Sequence, residues 1–278
     1  MSILVDFSGV SIAGICASVK EFPSFETSII RHYVLNMIRS YRSKYYHKYG
    51  ELIICCDDQN YWRKKYFPYY KAKRSSQKAK SKIDWGELHR NMDIIKAELA
   101  EEFPYVVIQV PDCEGDDLIA VLSRSAGPHL IVSNDHDMVQ LQRNDVDVYA
   151  PSKGKKLARE RDMQSFLMEQ ILRGCDGDGV PNVLSDDDTF VNPDKRQRPL
   201  REAKLQELMK DVGSGEEIRR NFSRNQTLVD LGMIPDEIVD QINDTYDKLN
   251  AEKTQRRDLT PYFIQHRLAN LYDYIDQF

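Results

Sequence analysis

With 278 residues, 41% apolar and 30% charged, the chain suits one large domain or a core domain with a smaller partner. No run approaches the ~18 uninterrupted apolar residues of a membrane span, and Asp6 in the opening "MSILVDFSGV" stands where an export signal would be apolar, so a cytoplasmic protein without a membrane partner is expected. A net charge of −5 excludes a uniformly basic nucleic-acid binder, but leaves room for one strongly basic face.

In chain order, short apolar runs alternate with stretches of helical character. The runs Ile3–Val5, Leu52–Cys56, Val106–Val110 and Leu130–Val132, with a weaker one at Val146–Tyr149, read as strands. Between them, Ser28–Tyr46 carries Ile29, Tyr33, Met37 and Tyr41 at a four-residue spacing. Asp84–Glu102 carries Leu88, Met92, Ile95 and Leu99 near a helical period. Strand–helix alternation predicts an α/β fold with a mostly parallel sheet flanked by helices. After about residue 156 the strands stop. Met163, Phe166, Leu167 and Ile171 predict an amphipathic helix ending at Gly174, with further helices around Lys204–Lys210, Ile234–Leu249 and Pro261–Phe278. Residues 186–199 have loop composition. This divides the chain into 1–155 and a helical region, 156–278.

The five cysteines show neither CxxC spacing nor companion histidines, which excludes a zinc site or a disulfide scaffold. Cys55 and Cys56 fall inside an apolar run and read as core. Cys113 and Cys175 stand beside acids, which lowers their reactivity.

The acids are placed more tellingly. Asp6 follows the first strand, Asp57 and Asp58 the second, Asp112, Glu114, Asp116 and Asp117 the third, and Asp135 and Asp137 the fourth. In an open parallel sheet all four groups emerge at the carboxyl edge, where such folds place their sites. A single acid there is usually a turn or cap residue, and Asp58 and Asp112 read that way. A cluster is different, because carboxylates ~4 Å apart repel by ~4 kcal/mol at an effective dielectric near 20. Cations must offset that repulsion, and all-oxygen ligation suits Mg2+ or Mn2+. Asp6, Asp57, Glu114, Asp117 and Asp135 form the expected inner cluster, with Asp137 and Asp178 holding a second ion.

Residues 61–82 hold nine Lys/Arg, six aromatics and no acid, leaving 30 basic against 44 acidic residues elsewhere. Following directly after Asp57, this segment would hang over the same edge as a strap for single-stranded nucleic acid. Arg63, Lys64, Lys71 and Arg74 are its expected phosphate contacts, and Lys71 an expected catalytic residue.

The stretch "GCDGDGVPNV", Gly174–Val183, admits three readings. A calcium loop fails, because Val180 and Pro181 stand at the fifth and sixth positions counted from Asp176. A haloacid-dehalogenase-like phosphatase wants a second acid two residues after Asp6, and Ser8 stands there. The third reading is a phosphate-gripping turn. Gly177, Gly179 and Val180 approach the backbone of nucleic acid, Pro181 opens the next helix, and Asp178 turns back to the acids. A binding accessory protein without turnover is a further alternative, which the clustered acids disfavour.

Together "ILVDFSG", "IICCDDQNYWRKKYFPYYKAKR", "EGDDLIAVL", "VSNDHDMVQL" and "ILRGCDGDGVPNV" resemble, in order, the five blocks of the flap-endonuclease/5′-nuclease family, almost end to end. The resemblance implies a PIN-like domain with a helical arch, then a helix–three-turn–helix DNA-binding motif. It implies a 5′–3′ exonuclease and flap endonuclease, acting on DNA and RNA–DNA hybrids and removing RNA primers in phage-type lagging-strand replication inside an infected bacterium. It implies two Mg2+ ions, replaceable by Mn2+, held by Asp6, Asp57, Glu114, Asp116, Asp117, Asp135, Asp137 and Asp178. A monomer that meets a single-strand-binding protein and a sliding clamp is also implied. Cys175 departs from the family, which keeps an acid there, and Asp176 is the only nearby substitute.

Overall fold

The computed structural model describes residues 1–18, 25–81, 83–213, 215–253 and 258–278. Lys82, the last cation of the basic segment, lies outside the described residues. The chain runs β1 (Ser2–Asp6), α1 (Phe7–Ser18), α2 (Thr27–Tyr49), β2 (Leu52–Cys56), α3 (Trp62–Tyr66), α4 (Lys73–Lys80), α5 (Trp85–Glu102), β3 (Val106–Gln109), α6 (Gly115–Leu122), β4 (His129–Val132), β5 (Val146–Ala150) and β6 (Lys155–Lys156). Then come α7 (Met163–Arg173), α8 (Glu202–Lys210), α9 (Glu216–Val229), α10 (Asp236–Glu252), α11 (Thr260–Gln265) and α12 (Ala269–Tyr272).

The sheet order is β3-β2-β1-β4-β5-β6, parallel except for the short last strand. The chain winds outward from β1 through β2 to β3, then returns to the other side of β1 as β4. That reversal makes the carboxyl ends of β1 and β4 a topological switch point, the place where open parallel sheets bind ligands. Both faces of the sheet are covered. Ile3, Val5, Leu52, Ile54, Leu130 and Val132 point toward α2, α5 and the aromatic C-terminal segment. Leu4, Ile53, Cys55, Ile131 and Val148 point toward α6 and α10. Alternation along each strand thus feeds two apolar layers, the two-sided burial that parallel strands require. Because Ile238 and Ile242 of α10 join one layer, and Tyr262, Phe263 and Phe278 the other, packing runs through the expected boundary at residue 155.

The first five strands, α5 and α7 fall where periodicity and punctuation predict them, while the two-residue β6 is not among the expected strands. In α2 the buried row is Ile30, Val34 and Ile38, with Met37 and Tyr41, while Ile29 and Tyr33 are only half-buried. The core face is centred about one residue, or 100°, from Ile29 and Tyr33, and the ~40° drift of a four-residue step brings the expected row onto it only at Met37 and Tyr41. α9 lies outside the expected elements because Asn221, Arg224 and Asn225 lie among the residues it buries. Their amides and guanidinium bind carbonyls: Asn225 Nδ2 donates to Ile171 O at 2.8 Å and Pro181 O at 2.9 Å, and Asn221 Nδ2 to Val183 O at 3.0 Å.

Pro181 does not open a helix. Residues 181–201 are turns and extended chain, α8 begins only at Glu202, and Arg224 and Asn225 of α9 grip the start of the loop at Pro181 O. The second helix of the expected helix–three-turn–helix motif is therefore not found at Pro181. No described helix is long and apolar enough to cross a membrane. All five cysteines are free thiols, with Cys55, Cys56 and Cys113 buried.

Candidate metal and nucleic-acid site

At the switch point α1 begins immediately after β1, and its first turn fixes Asp6. Gly9 N donates to Asp6 Oδ1 at 2.8 Å, and Ser133 Oγ, from the end of β4, donates to Asp6 Oδ2 at 2.7 Å. A Cβ on Gly9 would lie 2.1 Å from Asp6 Oδ2, so glycine is a condition of this geometry. From β2, Asp57 Oδ1 accepts from Gly115 N at 2.8 Å. Asp135 caps the 3₁₀ turn His136–Leu141, accepting from Asp137 N at 2.8 Å. Burial, then Asp57 and Asp135, push the Asp6 carboxyl up to about 6, against the pull of its two hydrogen bonds. Burial, Asp6 and Asp135 push Asp116 well above the carboxylate range.

Asp116 lines the cleft beside Asp6 and Asp135, whereas Asp117, expected in the inner cluster, faces Arg63. Asp117 is shut from solvent, 2.8 Å from Arg63 Nη1, and accepts from Glu114 N at 2.9 Å and Trp62 Nε1 at 3.2 Å. The two acids are adjacent on α6, so facing one toward the edge turns the other about 100° away. Glu114 and Asp117 do share a face, as a reciprocal capping box.

Glu114 is also withdrawn. Its carboxylate meets Arg63 Nη1 and Tyr70 OH, each at 2.9 Å, and Lys71 Nζ. Burial opposes its charge, but Lys71 and Arg63 outweigh it and hold the carboxyl below its ordinary range. Arg63, expected to meet phosphate, is 2% exposed and committed to Glu114 and Asp117. It anchors the strap to α6. Asp58 and Asp112 are turn acids, as expected: Asp58 accepts from Asp112 N at 3.0 Å.

A second acid group gathers Asp137 and Asp178 beside Asp135. Gln170 Nε2 donates to Asp137 Oδ1 at 2.9 Å, while burial and then Asp135 and Asp178 push that carboxyl up to about 7. Asp178 Oδ1 lies 2.8 Å from Arg74 Nη2 and 3.7 Å from Lys71 Nζ. Cys175 borders this group: burial, then Asp178 and Asp137, push its thiol up to about 12. Asp176 does not replace the missing acid, being 74% exposed and 3.1 Å from Lys73 Nζ.

The Gly174–Val183 stretch is a self-bonded turn. Cys175 and Val180 exchange backbone hydrogen bonds at 2.9 and 2.8 Å, and Gly179 N donates to Asp176 O at 3.1 Å. The N–H groups of Gly179 and Val180 are thus spent within the turn, Val180 is buried, and Gly177 is exposed on its outer side. Gly179 has φ +73°, and a Cβ there would lie 2.9 Å from Tyr69 O. The glycine serves close approach to the strap, whose Lys71 N donates to Asp178 O at 2.7 Å.

Between strap and sheet edge lies a cleft of about 1070 Å³, lined by Asp6, Asp57, Asp116 and Asp135 on one side and by Lys64, Lys71, Arg74 and Lys78 on the other. Lys64 Nζ sits over the Tyr61 ring at 4.7 Å. Burial works against the charge of Lys71, but Glu114 and Asp178 outweigh it and hold the ammonium above its ordinary pKa. Tyr70, Ser133 and Gln170 orient acids of the site and were not singled out in the sequence. Ser133 carries the one usable signal, a hydroxyl directly after a strand at the switch point.

The donor set fits a hard divalent cation. The inner acids are all carboxylates, Asp6 and Asp116 are raised by burial and by acid neighbours, and Asp6 makes no ion pair among the described residues. Among the described residues no three or more acid, thiol or imidazole side chains stand close enough together to hold a metal ion by themselves. An open, water-completed arrangement is how Mg2+ is usually held, by a few carboxylates and substrate phosphates.

Comparison with known proteins agrees with this geometry. Residues 18–169 match the family model "5′-3′ exonuclease, N-terminal resolvase-like domain", and residues 162–278 match "T4 RNase H, C terminal". The Ribonuclease H of Enterobacteria phage T4 is 26% identical over 99% of this chain and 95% of its own length. Among solved structures, a T5 5′-exonuclease with bound divalent metal ions (zinc) superposes with a TM-score of 0.63 at 17% identity, covering 91% of this chain and 97% of that one. A T5 flap endonuclease in a pseudo-enzyme-product complex with DNA and metal ions gives 0.62 at 17% identity, with the same coverage. The five-block resemblance, and within it the likeness to a T-even phage ribonuclease H, is borne out.

Proposed function

Since this chain belongs to the 5′–3′ exonuclease family and is a nuclease, we propose that it is a Mg2+-dependent 5′ nuclease. Its substrates would be flapped or nicked DNA and RNA–DNA duplexes, and its role the removal of RNA primers during lagging-strand synthesis. One observation carries the reading: Asp6, Asp57, Asp116 and Asp135 share one cleft with the cations of a strap, and burial with acid neighbours raises Asp6 and Asp116.

In this reading Asp6, Asp57, Asp116 and Asp135 hold one ion, and Asp137, Asp178 and Asp135 border a second. Bound divalent ions there supply an activated water and stabilise the leaving oxygen of a phosphodiester. Gly9 and Ser133 fix the Asp6 carboxylate, while Gln170 fixes Asp137. Lys71 and Arg74 direct positive charge at the strand's phosphates from the opposite wall, and Glu114 with Asp178 sets their position. Lys64 and Lys78, which have no carboxylate partner among the described residues, take further phosphates. Cys175 contributes a neutral thiol, so the second ion is bound more weakly than the first.

The test is cleavage of a 5′-labelled flap and of a nicked RNA–DNA duplex, with Mg2+ or with chelator. Metal-dependent release of short 5′ products from either is expected. If neither is cut while a small phosphomonoester is, the site belongs to a phosphatase. If the flap binds and nothing is cut, the protein is a binding accessory.

A further inference from the structure

The cleft continues past the acids to the first turns of α5, where Trp85, His89 and Met92 line it together with Lys78 of the strap. Nothing in metal-dependent hydrolysis calls for these groups. The Trp85 and His89 rings are 6.1 Å apart and tilted by 32°. Lys78 Nζ lies 5.1 Å from the indole centroid and 3.0 Å from His89 Nε2. Burial, with Lys78 close by, lowers the pKa of His89, so near neutral pH its imidazole is an uncharged flat ring. The Trp85 indole N–H is buried and without a hydrogen-bond partner among the described residues. A buried, unmade hydrogen bond is unfavourable, so packing alone would be served better by phenylalanine. What tryptophan adds is aromatic area on a cleft wall, next to a cation that no described carboxylate neutralises.

Aromatic rings alternating with unpaired lysines are the chemistry of a single-strand channel, in which bases stack on rings while phosphates meet ammonium groups. We propose that Trp85, with His89 beside it, is a stacking step for one unpaired nucleobase of the bound strand, and that Lys78 takes the phosphate next to it. The base is gripped by its face and not by its edge, so the step is tolerant of sequence. It sets how far an unpaired 5′ arm is drawn through the cleft relative to the acids. This rests on the nuclease reading above and adds to it a fixed register for the arm.

The experiment moves a single abasic nucleotide through the 5′ arm of a fluorescent flap. Equilibrium binding is measured in chelator, and KM and kcat are measured in Mg2+. For the wild-type protein one arm position should be sensitive, its abasic form binding about 5- to 150-fold more weakly, the range for loss of one base–aromatic stack. W85A should weaken the intact flap by a similar factor and abolish the abasic penalty at that position, with kcat changed much less than KM. W85F should restore most of the affinity and the penalty, and it separates lost stacking from a damaged fold. The proposal is overturned if no arm position is sensitive, or if the penalty persists unchanged in W85A. Binding in chelator is read without cleavage, so a protein that never cuts would sink the nuclease reading while still deciding this one.

Discussion

Arg63 Nη1 lies 2.8 Å from Asp117 Oδ1, with both side chains closed to solvent. The guanidinium also holds Glu114, so one buried cation joins the strap to the first turn of α6. Removing one partner of a buried ion pair leaves the other charge uncompensated, at a cost of about 3–5 kcal/mol. Arg63→Ala should therefore lower the urea midpoint severely. Lys64→Ala should change the unfolding free energy by no more than about 0.5 kcal/mol and lower the salt slope of flap binding by nearly one ion. A near-normal midpoint for Arg63→Ala with a reduced salt slope would return Arg63 to the phosphate-binding set.

The neighbouring acids Asp116 and Asp117 should separate in the same way. Asp116→Asn should reduce Mn2+ affinity, measured by calorimetry, by at least the roughly 10–100-fold known for altering groups that merely support a metal ligand. Flap binding in chelator should survive. Asp117→Asn should retain metal affinity and lose stability. The reverse pattern would overturn the assignment of Asp116 to the inner group.

Two glycines beside the acids make a paired test. A Cβ at Gly9 meets the Asp6 carboxylate at 2.1 Å, whereas one at Gly115 meets only Cys55 O at 3.4 Å and Asp57 Oδ1 at 3.5 Å. Gly9→Ala should displace Asp6 and remove cleavage and tight metal binding together. Gly115→Ala should cut normally and be slightly stabilised, by up to about 1 kcal/mol, because alanine suits a helix better than glycine does. Equal activity in the two variants would contradict the geometry around Asp6.

Stability should respond to acid through Glu98. Arg31 holds its carboxylate in two hydrogen bonds of 2.7 and 2.6 Å, and Tyr262 OH donates at 2.6 Å, joining α2, α5 and α11. Burial opposes the charge, but Arg31 and Tyr262 outweigh it and hold the carboxyl below its ordinary range. A depressed folded-state pKa means that this stabilisation is complete above the unfolded value of about 4.3 and is lost as pH falls through the folded one. Glu98→Gln should cost about 1.5–3 kcal/mol near neutral pH and flatten the acid limb of the stability profile. An unchanged acid limb would show that other carboxylates govern it.

The sheet was legible because strands buried on both sides are short continuous apolar runs, and Leu52–Cys56 is bounded in the sequence as it is in the fold. The acids were legible as a set, since each follows a strand. Their division into metal-facing and structural members was not, because Asp116 and Asp117 differ only by the turn of a helix whose orientation depends on Arg63. The basic segment announced a polyanion partner. Which cations remain available depends on pairings between residues far apart in the chain, such as Lys71 with Glu114 and with Asp178, and Arg63 with Glu114 and Asp117. The turn at Gly174–Val183 was legible as a turn, but the buried amides of α9 that hold the following loop leave no apolar period to read.

The hydrogen bond from Ser133 to Asp6 joins residues 127 positions apart. Because β1 lies between β2 and β4, the first acid of the chain acquires its geometry only when the fourth strand has docked. Contacts so distant in sequence form late in folding. A chain lacking β4 keeps Gly9 N on Asp6 and Gly115 N on Asp57, but it loses the Ser133 hydroxyl that fixes the other oxygen of Asp6 and the Asp135 carboxylate beside it. For a nuclease this dependence is a safeguard: the cutting edge is complete only with the completed sheet.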